Sequence, residues 1–220
     1  MRRLIINADD FGLTEGVNQG IIAAHVSGVV TSTSLMVDFP GAVRAAELMH
    51  EHPELSVGLH FVDDTPELDQ PGRAEAEFAR QLERFRTLTG VEPTHVDSHH
   101  HVHVKRISRF VPLVEPLGVP LRGDGQVRYL GAFFGHPEPG MIDHDRIRPA
   151  FLLALLGDEA TAEVTELGCH PGRVTDELRS SYTAEREIEI ATLTEPGLRE
   201  RIEELGLTLS SFHDLRGPGS

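Results

Sequence analysis

Leu4-Ile5-Ile6-Asn7-Ala8-Asp9-Asp10-Phe11-Gly12 opens the chain with three branched apolar residues that run straight into two acids and a glycine. A short unbroken apolar run of this kind suits a strand buried on both faces, the habit of parallel sheets, and the acids stand where that strand finishes. Thr14 then caps a helix through His25 that carries Val17, Ile21, Ile22 and Ala24, with Gly28 as its stop. Ser34-Leu35-Met36-Val37 reads as the next strand, and Pro40 opens a helix through Met49. The chain therefore begins β-α-β-α.

The alternation continues. Leu55 to Leu59 is a third strand ending at His60, followed by an acidic loop from Phe61 to Gly72 that has no apolar period. Ala74, Phe78, Leu82, Phe85 and Leu88 recur at helical spacing between Arg73 and Thr89, and Gly90 closes that helix. Thr94 to Asp97 is a fourth strand, Lys105 to Leu117 a helix interrupted by Pro112, and Val119-Pro120-Leu121 a fifth strand ending at Arg122. Gln126 to Gly140 reads as a long functional loop. Asp143 caps a helix from His144 to Leu156, Val164 to Cys169 is a strand ending at His170, helices follow over 184–193 and 196–205, and Leu207-Thr208-Leu209 is a last strand. About seven short parallel strands joined by helices imply a single-domain, closed or nearly closed (β/α) barrel of the TIM type. No repeat or linker interrupts it, so residues 1–216 are read as one domain and 217–220 as a flexible tail.

Composition narrows the partners. A net charge of -15 over 220 residues, with no basic stripe, disfavours nucleic acid and anionic membrane surfaces. The longest apolar run, Phe151 to Leu156, is too short to span a bilayer, and the start of the chain is too short for a signal-peptide core, so the expected location is cytoplasmic. One cysteine, Cys169, excludes an internal disulfide and a cysteine-based zinc knuckle, and one lysine, Lys105, would have to carry any Schiff-base chemistry. A small-molecule substrate fits best, with a homodimer left open as the assembly.

In a barrel of parallel strands the site lies at the strands' C-terminal ends. Those ends deliver Asp9 and Asp10, His60, Asp97 with His99, Arg122, and His170 to one rim. The stretch His95-Val96-Asp97-Ser98-His99-His100-His101-Val102-His103 is the densest part of that set, and neutral imidazole is both a metal ligand and a proton carrier. Bland uses exist for each residue: a turn pair at Asp9-Asp10, a satisfied core histidine at His60, a counter-ion at Arg122, a turn at His170. Their arrival from five strands at one rim favours a site. If the fourth strand runs on through the cluster, Asp97, His99, His101 and His103 share a face, and alternation does not choose between His99 and His101.

Asn7-Ala8-Asp9-Asp10-Phe11-Gly12-Leu13, Gly20-Ile21-Ile22, Val30-Thr31-Ser32-Thr33, Gly58-Leu59-His60-Phe61, Pro93 through His103 and Cys169-His170-Pro171 together resemble the YdjC-like carbohydrate deacetylases, whose best-known members are chitooligosaccharide deacetylases. The resemblance runs from about residue 3 to 213. It implies a deformed (β/α) barrel related to the NodB-type polysaccharide deacetylases and metal-dependent removal of acetyl from an N-acetylated sugar. It makes Asp10, His60 and His99 the metal ligands, choosing the first histidine of the triple, and Asp9 the general base. It also makes His170 the group near the leaving amine and Arg122 the arginine that orients the base. Imidazole ligands favour Zn2+ on softness, and Mg2+ stays open beside it. Between His60 and the histidine cluster the chain departs from the family, because Val62 to Gly72 is short and acidic where members often carry a longer segment. A chitobiose-type specificity is therefore not carried over. The competing readings are a metal-dependent sugar isomerase or lyase on the same barrel, and a non-catalytic carbohydrate- or metal-binding protein.

Overall fold

The structure, a computed structural model, describes residues 2–63 and 65–215. The expected tail at 217–220 lies outside the described residues, as does Arg216 at the end of the expected domain. Among the described residues seven strands form one parallel sheet in the order β4-β3-β2-β1-β6-β5, with β7 on the first residues of β1. They are β1 (Arg2–Phe11), β2 (Ser32–Leu35), β3 (Ser56–Phe61), β4 (Val96–Ser98), β5 (Arg128–Leu130), β6 (Val164–Cys169) and β7 (Leu207–Leu209). The helices between them are α1 (Glu15–Val26), α2 (Ala42–Glu51), α3 (Arg73–Thr89), α4 (Ile107–Val114), α5 (Pro149–Glu159), α6 (Ala184–Leu193) and α7 (Leu198–Glu204). None is long and apolar enough to cross a membrane.

β1 is the axis of the sheet, and every residue from Leu4 to Phe11 is buried, as expected of a central parallel strand covered on both faces. Its first half lies between β6 and β7 and its second half between β6 and β2. This double use deforms the barrel. Near the floor, Phe212 in a 3-10 turn (Phe212–Leu215) stacks on His95 at 3.9 Å, so His95 is a packed core ring that serves no site.

The sheet curls into an open, deformed barrel: among the described residues no ladder joins β5 to β4. Val119-Pro120-Leu121, expected as the fifth strand, makes only a single bridge, Val96 to Leu121, because Pro120 has no N–H to extend a ladder and Gly118 and Gly123 turn the chain away at positive φ. The fifth strand is instead Arg128–Leu130, inside the stretch expected to be a structureless loop. Three residues are too few to show alternation in a sequence. Arg122 leaves the bridge at this seam, and its side chain is buried among Asp9, Asp97 and Glu166.

Other expectations hold closely. α3, β6, α6 and β7 occupy the expected residues, and Thr14 caps α1 by accepting from the Val17 N–H. The helix expected from His144 divides into a 3-10 turn (His144–Ile147) and α5, since Pro149 starts a new helix. β2 lies two residues earlier than expected, because Ser32, Thr33 and Ser34 are buried strand residues whose hydroxyls have partners, Thr33 donating to the Ala8 carbonyl at 2.6 Å. Gly20 lets α1 approach the turn after β6: a Cβ there would stand 2.4 Å from the Gly172 Cα. That contact seats the His170 turn at the barrel mouth.

Candidate active site

Adjacent residues of a regular strand point to opposite faces, so Asp9 and Asp10 should not share a site. Here they do. The register between β1 and β2 shifts between Ala8 and Phe11, and Asp10 takes a positive φ of 73°. This bulge, with backbone in a region costly for a non-glycine residue, turns both carboxylates to the mouth.

Asp10 accepts from Arg186 Nη2 at Oδ2, 2.6 Å away. Its other oxygen, Oδ1, is buried and has no hydrogen-bond partner. It faces His99 Nδ1 at 3.3 Å and His60 Nε2 at 3.5 Å, and the three groups have ligand atoms within 4.8 Å of one another. His60 donates from Nδ1 to Asp97 Oδ1 at 2.7 Å, which turns Nε2 toward Asp10. A carboxylate oxygen and two imidazole nitrogens aimed at one point, one of them oriented by a second carboxylate, fit a divalent cation. Asp9, His60 and Asp97 also bring ligand atoms within that span, but Arg122 already neutralises both of those carboxylates.

Charge supports the same point. Burial alone would lower the His60 pKa, but Asp97 and the Asp10 contact drive it up to about 10, so this position calls for a positive charge. Burial opposes the ionised form of Asp10 as well, yet Arg186, His60 and His99 hold its carboxyl well below the usual range.

Arg122 organises the second half. Its guanidinium grips Asp9 with Nη1 on Oδ2 and Nη2 on Oδ1, both at 2.7 Å, reaches Asp97 at 2.7 Å, and bonds Glu166 through Nε at 2.9 Å. Burial opposes the charge on Asp9, but Arg122 wins and holds its carboxyl below normal. Glu166 loses the same contest: burial pushes it up to about 7 despite Arg122. His103, expected to share a face with His99, instead donates from Nε2 to the Arg122 carbonyl at 2.7 Å and fixes that loop. The strand ends at Ser98, and a 3-10 turn (His99–His101) with positive φ at His100 and His101 replaces the alternation.

His170 brings Nε2 to 3.9 Å from Asp9 Oδ2, and burial lowers its pKa. The mouth encloses a cavity of about 470 Å³ whose walls include Tyr129, Phe134, Ser180, Ser181 and Tyr182. A wider depression of about 780 Å³ beyond Tyr129 carries no imidazole.

Five of the expected residues, Asp9, Asp10, His60, His99 and His170, line one cavity, and the sixth, Arg122, is buried behind Asp9, which it grips from outside the lining. Sequence reasoning missed Glu166, Arg186, Glu189 and the aromatic wall. A glutamate inside the apolar run of β6 was a visible signal, since a lone acid in a buried strand needs a partner. Arg186 and Glu189 gave none, because charged residues three apart on a helix usually face water. Cys169 is fully buried, with its thiol pKa pushed up by that burial, and Lys105 is exposed on a turn, so neither is a nucleophile for this cavity. Asp124 spends its oxygens on the Leu121 and Gln126 N–H groups and the Gln126 amide, and Glu166, the acid on β6, is bonded to Arg122.

The profile of the YdjC-like proteins matches residues 3–204. A carbohydrate deacetylase of Geobacillus stearothermophilus is 38% identical over 97% of this chain and 98% of its own, and a chitooligosaccharide deacetylase of Serratia marcescens is 38% identical over 96% and 98%. Their alignments run over 247 and 260 positions, more than this chain has residues, so segments of the relatives have no counterpart here. A solved Enterococcus faecalis structure, provisionally named a cellobiose-phosphate cleavage protein, superposes with a TM-score of 0.80 at 29% identity over 98% of this chain and 99% of its own. With the profile matched over nearly its whole length and the relatives aligned end to end, the chain belongs to the YdjC-like family.

Proposed function

We propose that the protein hydrolyses the acetamide of an N-acetylated sugar or oligosaccharide, releasing acetate, with a divalent cation held by Asp10, His60 and His99. The observation that carries this reading is the unpartnered Asp10 Oδ1, buried between two imidazole nitrogens and beside a second, ionised aspartate. The names of the two 38% identical relatives support the substrate class. A bound cation supplies Lewis acidity toward the acetyl carbonyl and acidifies water.

The residues supply the rest. Asp9, kept anionic by Arg122, takes the proton of the attacking water. His170, its pKa lowered by burial, lies 3.9 Å from Asp9, a span that one water bridges, and passes that proton to the departing amine. Tyr129, Phe134 and Tyr182 offer apolar faces for a sugar ring, and Ser180 and Ser181 offer hydroxyls. The donor set favours Zn2+ over Mg2+. The cytoplasmic location and a homodimer belong to the proposal too, and sedimentation of the purified protein tests the latter.

The test is acetate release from a panel of N-acetylated sugars by metal-stripped protein, before and after addition of Zn2+, Mg2+, Mn2+ or Co2+. Metal-dependent release that disappears in Asp9→Asn is expected. Sugar binding and metal binding intact in Asp9→Asn, with no release by the wild type from any sugar, would establish a binding protein instead.

A further inference from the structure

Among the described residues that line the cavity, Arg186 is a charged side chain that no step above uses. It lies on the buried face of α6, is 3% exposed, and spreads its guanidinium over three partners: Nη2 to Asp10 Oδ2 at 2.6 Å, Nε to the Tyr182 carbonyl at 3.1 Å and Nη1 to the His170 carbonyl at 3.4 Å. A carboxylate free at both oxygens can bind a cation through both and fill two coordination positions. A charge-assisted bond at 2.6 Å commits Oδ2 and leaves Oδ1 as the single oxygen facing His60 and His99.

The two remaining bonds fasten the segment from His170 to Tyr182, which carries the proton donor at one end and the Ser180-Ser181-Tyr182 wall at the other. One turn further along α6, Glu189 accepts from the His170 N–H and from the Tyr182 hydroxyl, pinning the same two residues again. Three partners in three directions need the planar fork of arginine, which an ammonium lacks.

We infer that Arg186 is a positioning residue that holds Asp10 to one-oxygen coordination and keeps the leaving-group histidine and the sugar wall in register with that carboxylate. The inference rests on the metal-dependent deacetylase reading of the site. It predicts that substitution changes the geometry of the bound ion and, separately, the binding of sugar.

The test uses the full chain loaded with Co2+ and needs no substrate for its first part. In Arg186→Gln, Asp10 is released to bind through both oxygens, and the visible d–d absorption of bound Co2+ is expected to fall in intensity and shift as the coordination number rises. Acetate release is expected to drop about 10- to 100-fold, the usual effect of losing a group that orients a metal ligand, with a raised KM for the sugar. Arg186→Lys, which reaches one partner at a time, is expected to keep the cobalt spectrum and raise KM. A cobalt spectrum and KM in both variants equal to those of the wild type would overturn the inference, as would a wild type that takes up no Co2+. If Arg186→Gln does not fold, wild-type cobalt spectrum and KM in Arg186→Lys decide against it. A changed cobalt spectrum in a protein that releases acetate from no sugar keeps the positioning role and refutes the deacetylase reading, so the two failures are distinct.

Discussion

Replacing Arg122 with methionine strips one guanidinium from three carboxylates, and the consequences can be worked from the geometry. Asp9, Asp97 and Glu166 are 2%, 0% and 1% exposed, and Arg122 is the shared cation at 2.6–2.9 Å from all three. Asp97 keeps His60 and Asp9 keeps the Asn7 amide, so neither becomes wholly bare. Removing one partner of a buried ion pair costs about 3–5 kcal/mol, which at about 2–4 °C per kcal/mol for a chain of this size lowers the midpoint of thermal unfolding by about 6–20 °C.

The pH dependence gives the sign. In the wild type, Asp9 and Asp97 have depressed pKa values, so their stabilisation is present above the ordinary carboxylate range and is lost as the pH falls through the lowered values. Without Arg122 the largest interaction opposing burial is gone, so their pKa values rise and protonation relieves the strain at higher pH than in the wild type. The gap between variant and wild type is therefore largest at neutral pH and narrows toward pH 4. Glu166, already pushed up to about 7, neutralises first, so adding Glu166→Gln to the variant should recover part of the loss. Acetate release at pH 7 should fall by about 10²-fold or more as Asp9 becomes protonated. Unfolding followed by circular dichroism from pH 4 to 8 reads the first effect. A variant within a degree or two of wild type at pH 7, or a gap that does not change with pH, refutes the account of Arg122 as the counter-ion of three acids.

Three other outcomes follow from named contacts. His170→Asn should bind metal with unchanged stoichiometry, measured by elemental analysis, while turnover falls by about 10²- to 10⁴-fold, because only the amine's proton source is removed. Glu189 has a pKa raised by burial to about 8, so its contribution to stability is present below the ordinary glutamate value and is lost as the pH rises toward 8; Glu189→Gln should flatten that decline in the melting curve between pH 5 and 8. At Gly58 an added Cβ would lie 2.4–2.6 Å from the His95 ring, itself stacked on Phe212, so Gly58→Ala should cost about 1–3 kcal/mol in denaturant unfolding with metal stoichiometry preserved.

What a sequence discloses about such a site depends on whether the local chain or the assembled barrel decides the geometry. β1, α3, β6 and α6 were legible because periodicity and caps act over a few residues, and the rim residues were legible because parallel strands send their last residues to one place. The pair Asp9-Asp10 shows where this ends. Strand alternation puts them on opposite faces, and only a bulge at Asp10, paid for by packing elsewhere in the sheet, brings both to the mouth. The histidine triple is the converse case. Alternation past Ser98 holds only if the strand runs on, and the chain leaves the strand there and two positive-φ histidines turn it, so His99 reaches Asp10 while His103 holds the Arg122 loop.

Arg122 and Arg186 complete the argument, since they come from a broken bridge after Leu121 and from the buried face of α6, and each takes one of the two adjacent aspartates. The bulge brings both carboxylates to one mouth, and the arginines then hold them differently. Asp9 is gripped at both oxygens and remains an anion beside His170, whereas Asp10 is gripped at one and keeps the other for the imidazoles. In the proposed reaction, two identical side chains, one residue apart, are thus divided between proton transfer and cation binding by how many of their oxygens an arginine occupies.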